Sequence, residues 1–391
     1  MGEHTPHRSG RFITQPSGYR AFMPAPLPPD PPIAVDDELT RLLSDADRHL
    51  GRLDGVASTL PNPDLFVAMY VKQESVLSSQ IEGTQSSLDD VLQFEADAAG
   101  ADVPRDVSEV VNHVNAMNHG LKRLAELPLS LRLIREVHER LMHGVRGHER
   151  SPGEFRTSQN WIGPAGANLT NATFVPPPPH ELGDLLARFE RFLHDRNNMP
   201  VLVHCALAHA QFESIHPFLD GNGRVGRLLI TFLLCERGVL QRPLLYLSHY
   251  LKFHRTEYYD RLTAIRAHGD WEGWVKFFLR GISTVSKSAT DTARAILAMR
   301  EAHRKAVTDS TTGKHGLALL ELLFEHPVVN ISFVEERLDC SAPTASKLAR
   351  LFMQLGLLEE TTGNQRNRRF RYAPFIGLFE SDPANPHLVR P

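Results

Sequence analysis

The chain has 391 residues, 41% of them hydrophobic and 23% charged, which is typical of a folded globular protein with room for two or three domains. The formal net charge of −3 excludes an overall basic character, so nucleic-acid binding would need a local basic patch. Three cysteines without a CxxC pair argue against a cysteine-rich zinc site and predict a reducing, cytoplasmic location. Because the apolar runs are too short to cross a bilayer and no secretory signal is recognised, no membrane partner is expected.

Residues 1–100 are predicted to form an N-terminal region with an extended arm followed by helices. Residues 1–34 are rich in proline and glycine, which favours an arm that lies on another part of the protein or remains free. From Asp36 to about Leu92, apolar residues recur every three or four positions. This spacing predicts helices, with a break at the Pro-Asn-Pro of residues 61–63.

Residues 101–305 are predicted to form a helical core with one irregular insertion. Most segments repeat apolar residues at helical spacing, and the last long helix, from Trp271, is expected to break near Gly281. Residues 153–179, named the flap below, are instead rich in Gly, Asn, Thr and Pro. The residues that predict an irregular β-hairpin within the flap are Trp161, Ile162, Phe174 and Val175.

Residues 306–391 are predicted to form a separate C-terminal module. Residues 308–316 have the composition of a linker. Beyond them, up to residue 374, the patterns alternate as helix, short strand, helix, turn, helix and hairpin, which is the order of a winged helix-turn-helix. The expected fold class is therefore mainly α: a helical core with a β-hairpin flap, an N-terminal helical region and a C-terminal winged helix-turn-helix.

The segment HPFLDGNGRVGR, residues 216–227, combines several groups with phosphate chemistry. Gly221, Asn222 and Gly223 allow positive φ angles, and a helical pattern begins directly after them. A glycine-rich turn that enters a helix N-terminus binds anions, because unpaired N–H groups and the helix dipole point at the ligand. Arg224 and Arg227 add cations that can bind phosphate oxygens with two N–H groups at once.

Two further residues of this segment complete the parts needed to transfer a phosphorus group to a hydroxyl. Asp220 directly precedes the anion-binding turn, and Mg²⁺ in proteins is held by one or two carboxylates together with phosphate oxygens. His216 can accept a proton from a hydroxyl nucleophile near neutral pH. A lone histidine or a lone Gly-Asn-Gly is usually structural, so the prediction rests on their combination.

The segment matches the motif of Fic-domain proteins, HxFx[DE]GNGRxxR, at every fixed position. Residues 22–32, the flap and residues 258–274 also look like parts of bacterial Fic proteins, so the chain resembles this family over nearly all its length. The resemblance implies the Fic fold, often accompanied by a C-terminal winged helix, and a homodimer.

The resemblance also implies a protein adenylyltransferase that moves AMP from ATP to a protein hydroxyl with Mg²⁺. His216 would deprotonate the target, Asp220 would hold Mg²⁺, Arg224 would hold phosphates and Arg227 would pair with the γ-phosphate. Phe218 would anchor the loop. The other residues that the resemblance places at the nucleotide are Glu82, Phe212, Gly221, Asn222, Gly223, Val225, Gly226, Phe174, Tyr258 and Tyr259.

A second segment, SSQIEGT at residues 78–84, has two possible interpretations. From the residues alone, Ser78 and Glu82 share one face of a solvated helix end, and Gly83 ends the helix. The segment also matches the family's inhibitory pattern [ST]xxxE[GN]. The resemblance implies that Glu82 pairs with Arg227 and occupies the γ-phosphate pocket in the same chain. It further suggests that Glu82 can position a water for AMP removal.

Other candidates carry weaker signals. The flap, through Ile162, Thr173, Phe174 and Val175, is suited to bind an extended stretch of the target protein by its backbone. Tyr258 and Tyr259 contact adenine if the resemblance holds, although aromatic residues at helical spacing more often belong to a core. His204 and His209, with Glu213, have metal-like spacing, but they lie in an apolar helix and are better explained as buried, hydrogen-bonded residues.

The C-terminal module contains basic residues compatible with DNA or with protein. The predicted recognition helix carries Lys347 and Arg350. The wing arginines are Arg366, Arg368, Arg369 and Arg371. A winged helix that binds protein, with these arginines paired to acids, is an equal alternative.

Two rival functions remain open at the level of sequence. A Fic transferase could use another donor, such as one that supplies UMP, phosphate or phosphocholine, because the motif recognises phosphates and not the base. Alternatively, the protein is a DNA-binding regulator with a sensory Fic domain, which the intact motif makes less attractive.

Overall fold

The computed structural model describes residues 8–58, 63–96, 104–147, 149–196, 199–310, 313–363 and 368–380. Two strands, β1 (Gly10–Thr14) and β2 (Arg20–Pro24), form an antiparallel hairpin at the start of this part of the chain. The helices that follow are α1 (Asp37–Ser58), α2 (Pro63–Ile81), α3 (Leu88–Ala96), α4 (Arg105–Leu124), α5 (Leu131–Leu141), α6 (Leu182–His194), α7 (Val201–Ile215), α8 (Asn222–Glu236), α9 (Ser248–Phe253), α10 (Arg255–His268) and α11 (Trp271–Ser310). The remaining elements are α12 (Lys314–Glu325), β3 (Val328–Asn330), α13 (Ile331–Leu338), α14 (Ala342–Gln354), β4 (Glu359–Glu360), β5 (Arg369–Arg371) and α15 (Ala373–Glu380).

Helix α7 is the centre of the core. Its side chains from Leu202 to Ile215 are all buried, as expected for a helix that is apolar on every side. It packs against α6, α8, α10, α11 and strand β2, while α8 also contacts α2, α4 and α5. The mainly helical fold class predicted from the sequence is confirmed. This packing holds the end of α7 and the start of α8 side by side, with α2 against the same end.

The long helix α11 does not break near Gly281, so that prediction is wrong. The helix runs without interruption from Trp271 to Ser310. A Cβ atom at Gly281 would lie 2.7 Å from Cδ1 of Tyr250, so the glycine permits close packing of the helix against this ring. The predicted linker is also shorter than expected, because α11 extends to Ser310 and α12 begins at Lys314; residues 311 and 312 lie outside the described residues.

The N-terminal arm contains a hairpin that the sequence analysis missed. Strands β1 and β2 pair in the register Gly10↔Pro24 to Thr14↔Arg20. The arm lies on the flap: the Phe22 N–H donates to the Val175 carbonyl at 2.9 Å, and the Phe22 ring packs against Phe174. Within the flap, the predicted hairpin consists of one antiparallel bridge between Ile162 and Phe174.

The C-terminal module follows the predicted order of elements, with the additional helix α15 at its end. Its three-stranded sheet has the order β3-β5-β4. Arg368 pairs with Glu360, and the Nε of Arg371 lies 3.3 Å from Asp89 of α3, whereas Arg366 lies outside the described residues. These ion pairs favour the alternative in which wing arginines pair with acids of the same chain. The winged-helix assignment and DNA binding stay predictions.

Candidate functional site

Residues 216–221, named the motif loop, connect α7 to α8 through two left-handed backbone conformations. His216 ends α7 with φ 49° and ψ 60°, and its N–H donates to the Phe212 carbonyl at 2.9 Å. Gly221 precedes α8 with φ 75°, a conformation that glycine adopts without steric cost. For His216 the same region is strained, so surrounding contacts must hold it.

The Asn222 side chain holds the motif loop together. Its Oδ1 accepts the Phe218 N–H and its Nδ2 donates to the Phe218 carbonyl, both at 2.8 Å. The Phe218 ring is fully buried and stacks on His138 with ring centres 3.7 Å apart. His138 accepts the Gly153 N–H at Nδ1, so its Nε2 carries the proton that is donated to the Asp220 carbonyl at 3.1 Å.

Replacing Asn222 with alanine is expected to destabilise the protein, because it leaves the buried N–H of Phe218 without a partner, although the Phe218 carbonyl keeps the Asn160 side chain as donor at 2.8 Å. Buried groups left unpaired in this way cost about 1–3 kcal/mol. Urea unfolding of the variant measures the loss. Asn168 in the exposed part of the flap is a suitable control, and equal stability of Asn222→Ala and Asn168→Ala would contradict this role.

The first turn of α8 presents an anion-binding surface. The N–H groups of Asn222, Gly223 and Arg224 have no partner within the helix, since they belong to its first turn. Arg224 is buried, and its Nη1 lies 3.6 Å from Glu109 of α4. Among the described residues, Nε and Nη1 of Arg224 have no hydrogen-bond partner. The turn therefore combines free donors with an incompletely satisfied buried cation.

Arg227 is bonded to the end of α2 through Nε and Nη2. Its Nε donates to Ser78 Oγ at 2.8 Å, and its Nη2 donates to the Ser78 carbonyl at 3.0 Å and to Glu82 Oε1 at 2.7 Å. The Arg227 side chain is 1% exposed, whereas that of Glu82 is 32% exposed. Burial opposes ionisation of Glu82, but the charges of Arg227 and Arg224 outweigh it and hold the Glu82 pKa below its usual value.

The Glu82 carboxylate also lies directly against the anion-binding turn. A Cβ atom at Gly223 would lie 2.3 Å from Glu82 Oε1, so only glycine leaves room for the carboxylate at this distance. The predicted pair of Glu82 and Arg227, 145 positions apart, is thus brought together in one place. Gly83, with φ 100°, turns the chain away after α2.

His216 lies beside two cations that keep its imidazole neutral. Burial, Arg266 and Arg156 lower the His216 pKa to about 3. The group is therefore deprotonated throughout the physiological pH range and can accept a proton. The side chain is partly exposed, so a substrate can approach it.

Asp220 lies at the edge of the loop with one oxygen available. Its Oδ1 accepts the Gly221 N–H at 2.7 Å, and its Oδ2 lies 3.6 Å from Nη1 of Arg150. The side chain is 32% exposed. One accessible carboxylate oxygen next to a phosphate-binding turn fits Mg²⁺, which completes its coordination with phosphate oxygens and water.

Comparison with known proteins identifies the family of this chain. Residues 40–122 match the Fic/DOC family N-terminal region, and residues 128–234 match the Fic/DOC family. The chain belongs to the Fic/DOC family. Its fold is also similar to the crystal structure of a Fic family protein from Desulfovibrio desulfuricans, with a TM-score of 0.56 and 21% identity over 87% of this chain and 97% of that one.

Curated relatives carry the name protein adenylyltransferase. The chain is 33% identical over 168 residues to protein adenylyltransferase Fic of Drosophila grimshawi, covering 42% of this chain and 30% of the relative. It is 30% identical over 175 residues to a probable protein adenylyltransferase of Aquifex aeolicus, covering 45% of this chain and 51% of the relative. The chain thus spans only 30% to 51% of the length of these relatives.

The other residues predicted to contact nucleotide differ in how deeply they are buried. Phe212 and Val225 are buried in the core, and a Cβ at Gly226 would lie 2.5 Å from Glu213 Oε1, so Gly226 allows α7 and α8 to pack closely. These three residues lie on the core side of the first turn of α8. Tyr258 is buried as well, with its hydroxyl 2.9 Å from His209 Nε2.

Tyr259 and Phe174 lie nearer to the open side of the Fic site. Tyr259 is 37% exposed and lies under the Arg255 guanidinium at 5.3 Å. Burial and the charge of Glu82 raise the Tyr259 pKa to about 12. Phe174 is buried beneath Arg266, whose guanidinium carbon is 3.8 Å from the ring centre.

The histidines with metal-like spacing are hydrogen-bonded to protein groups. His204 Nε2 lies 2.7 Å from the Phe192 carbonyl, and His209 Nδ1 lies 2.8 Å from that of Gly226. Across the described ranges, no group of three or more His, Cys, Asp or Glu side chains is arranged to hold a metal. In the same part of the chain, no helix is both long and apolar enough to cross a membrane.

Four residues of the site were missed by sequence reasoning: Glu109, His138, Arg156 and Arg266. Glu213 was considered only as part of a metal-like spacing. Glu109, His138 and Arg156 are buried and contact Arg224 or the motif loop from distant segments. Arg266 donates to the Ser214 hydroxyl and the Glu213 carbonyl near the end of α7. Burial raises the Glu213 pKa to about 7, against the opposing charge of Arg227. The only available signal was their position within helices or next to the flap, which does not distinguish them from ordinary core or surface residues.

Proposed function

We propose that this Fic protein is an autoinhibited protein adenylyltransferase, which transfers AMP from ATP to a Ser, Thr or Tyr hydroxyl of a protein. The observation that carries the proposal is the position of the Glu82 carboxylate, bonded to Arg227 and seated against Gly223 at the start of α8. This is the place where phosphates would bind. The names of the curated relatives support the same activity.

In the proposed reaction, the first turn of α8 and Arg224 bind the phosphates of ATP, and Arg227 binds the γ-phosphate. His216, neutral and partly exposed, accepts the proton of the target hydroxyl. The hydroxyl oxygen forms a bond to the α-phosphorus, while the bond from that phosphorus to the bridging oxygen breaks. Diphosphate leaves, and the preorganised donors of the turn stabilise the charge that develops on the phosphorus oxygens.

Asp220 is the residue that would hold Mg²⁺, through Oδ2. The ion, when bound, neutralises charge on the phosphate oxygens. Oδ1 stays bonded to the Gly221 N–H, which fixes the carboxylate relative to the turn. Arg150 at 3.6 Å would balance the Asp220 charge before nucleotide and metal bind.

Replacing Asp220 with asparagine is expected to weaken Mg²⁺-dependent transfer, with only partial recovery at high Mg²⁺, since an amide oxygen is a poorer ligand than a carboxylate. Labelled AMP incorporation across a Mg²⁺ series measures this effect in the Glu82→Gly background. Asp184, on the exposed face of α6, provides the control as Asp184→Asn. Full transfer in chelator would remove the metal from the mechanism.

The experiment that tests the function is incubation of cell lysate with the Glu82→Gly variant and labelled ATP, UTP, CTP, GTP or CDP-choline in separate reactions. Transfer from ATP alone, lost in Glu82→Gly/His216→Ala, is the expected result. Transfer from another donor would support the rival group-transfer function. Transfer from none of them would contradict the proposal.

Removal of AMP from a modified target, with Glu82 positioning a water, remains part of the proposal, as do the homodimer and the cytoplasmic location. Purified AMP-modified target incubated with wild type and with Glu82→Gly tests the first. DNA binding through the C-terminal module has less support, because Arg368 and Arg371 pair with Glu360 and Asp89.

A further inference from the structure

Arg156 of the flap is buried between two segments of the site and bonds to both. Its Nε donates to the His216 carbonyl at 2.9 Å, and its Nη2 donates to the carbonyls of Ile215 at 3.4 Å and Pro177 at 2.5 Å. The N–H of Arg156 also donates to the Pro217 carbonyl at 2.9 Å. One residue thus binds three consecutive carbonyls where α7 ends, and a fourth in the proline stretch of the flap.

The partners of Arg156 set it apart from Arg224 and Arg227, the two arginines of α8. Arg227 has Glu82 at 2.7 Å and Arg224 has Glu109 at 3.6 Å. Among the described residues, no carboxylate lies within 4.0 Å of Arg156, and its guanidinium binds only backbone carbonyls. A buried guanidinium without an acid is costly, so its presence here points to a role for its shape and charge at this position.

We infer that Arg156 is a positioning residue, which fixes His216 in its left-handed conformation and ties it to the flap. This inference rests on the proposed function, in which His216 meets a hydroxyl presented along the flap. The carbonyls at the end of α7 have no helical partners, and the guanidinium satisfies two of them with its planar donors. Without those bonds, the strained His216 backbone would relax and the imidazole would move away from the target.

A positioning role for Arg156 predicts an effect on kcat alone, whereas a general role in stability would also affect ATP binding. The nucleotide would bind to α8, Arg224 and Arg227, none of which bonds to Arg156. Loss of the Arg156 bonds should therefore lower kcat and leave ATP affinity unchanged. A displacement of reacting groups by about 1 Å can cost about 10²-fold in rate.

The test uses the full chain with Glu82→Gly, to which Arg156→Gln or Arg156→Lys is added. Glutamine keeps a planar N–H donor but has no charge. Lysine keeps the charge but lacks the planar set of N–H donors. The matched control is Arg135→Gln, because Arg135 donates to the Gly153 carbonyl in the same region without contacting residues 215–217. Labelled AMP incorporation gives kcat, calorimetry gives ATP affinity, and hydrogen–deuterium exchange follows residues 215–221 and 173–175.

The expected result is a kcat reduced about 10²-fold in both Arg156 variants, with unchanged ATP affinity and faster exchange in both segments, while Arg135→Gln matches its parent. A kcat equal to that of the Glu82→Gly parent in either variant, or a loss of ATP affinity as large as the loss of kcat, would overturn the inference. If the Glu82→Gly parent itself transfers nothing, the proposed function fails. Exchange then decides the inference alone: unchanged exchange of residues 215–221 would refute it.

Discussion

Replacing His216 with alanine is expected to lower AMP transfer by about 10²–10⁴-fold, the usual contribution of a general base. The imidazole is neutral, because burial, Arg266 and Arg156 lower its pKa to about 3, and alanine removes the proton acceptor that we propose. ATP affinity should change little, since the proposed phosphate contacts come from α8. The loop itself should persist, because Arg156 and Asn222 hold it through backbone groups that alanine retains.

The measurement is labelled AMP incorporation in the Glu82→Gly background, together with calorimetric ATP affinity. His180, which is exposed next to the flap, serves as control through His180→Ala. Both single replacements should leave the unfolding temperature nearly unchanged. Transfer by His216→Ala at the parental rate would show that another group, or water, takes the proton.

The motif loop was predictable because its parts are adjacent in sequence. The Gly221-Asn222-Gly223 turn, followed by apolar spacing from Val225, indicated a helix N-terminus, and α8 begins at Asn222. What could not be derived from the sequence is the use of the Asn222 side chain. Its amide bonds to the Phe218 backbone, so the donors that we propose for the phosphates are backbone N–H groups together with the arginines of α8.

The contact between Glu82 and Arg227 was predictable only through the family resemblance. From the residues alone, Glu82 looked like a solvated acid at a helix end, because a separation of 145 positions leaves no local signal. The role of Arg156 was not predicted, for a related reason. It bonds to backbone carbonyls, which any sequence provides, so no complementary side chain reveals its partner.

The two errors in the predicted fold concern a glycine within a helix and a hairpin of short strands. Gly281 was interpreted as a helix break, but its missing Cβ makes room for Tyr250, and tertiary packing outweighs the helix propensity of one residue. The hairpin of β1 and β2 lies in a segment whose proline content favours extended chain. Its stability comes from the contacts of Phe22 with Val175 and Phe174, which no local pattern contains.

Replacing Glu82 with glycine is expected to raise AMP transfer by about 10- to 100-fold, the equivalent of one charge-assisted hydrogen bond of about 1.5–3 kcal/mol. Arg227 then keeps its bonds to Ser78 and gains a free Nη2 donor for the γ-phosphate. The space in front of Gly223 is vacated at the same time. Glu82→Gln should activate less, because it removes the charge but leaves the side chain in place.

Arg227→Ala should give the opposite outcome although it breaks the same ion pair. It releases Glu82, but it also removes the partner of the γ-phosphate, so no activation is expected, and the double variant should behave like Arg227→Ala. Because the Arg227 side chain is almost fully buried, each protein is first checked for cooperative unfolding. Incorporation of labelled AMP is then compared at equal ATP and Mg²⁺. Equal transfer by wild type and Glu82→Gly would mean that ATP displaces the carboxylate without difficulty, and the ion pair would then have no inhibitory role.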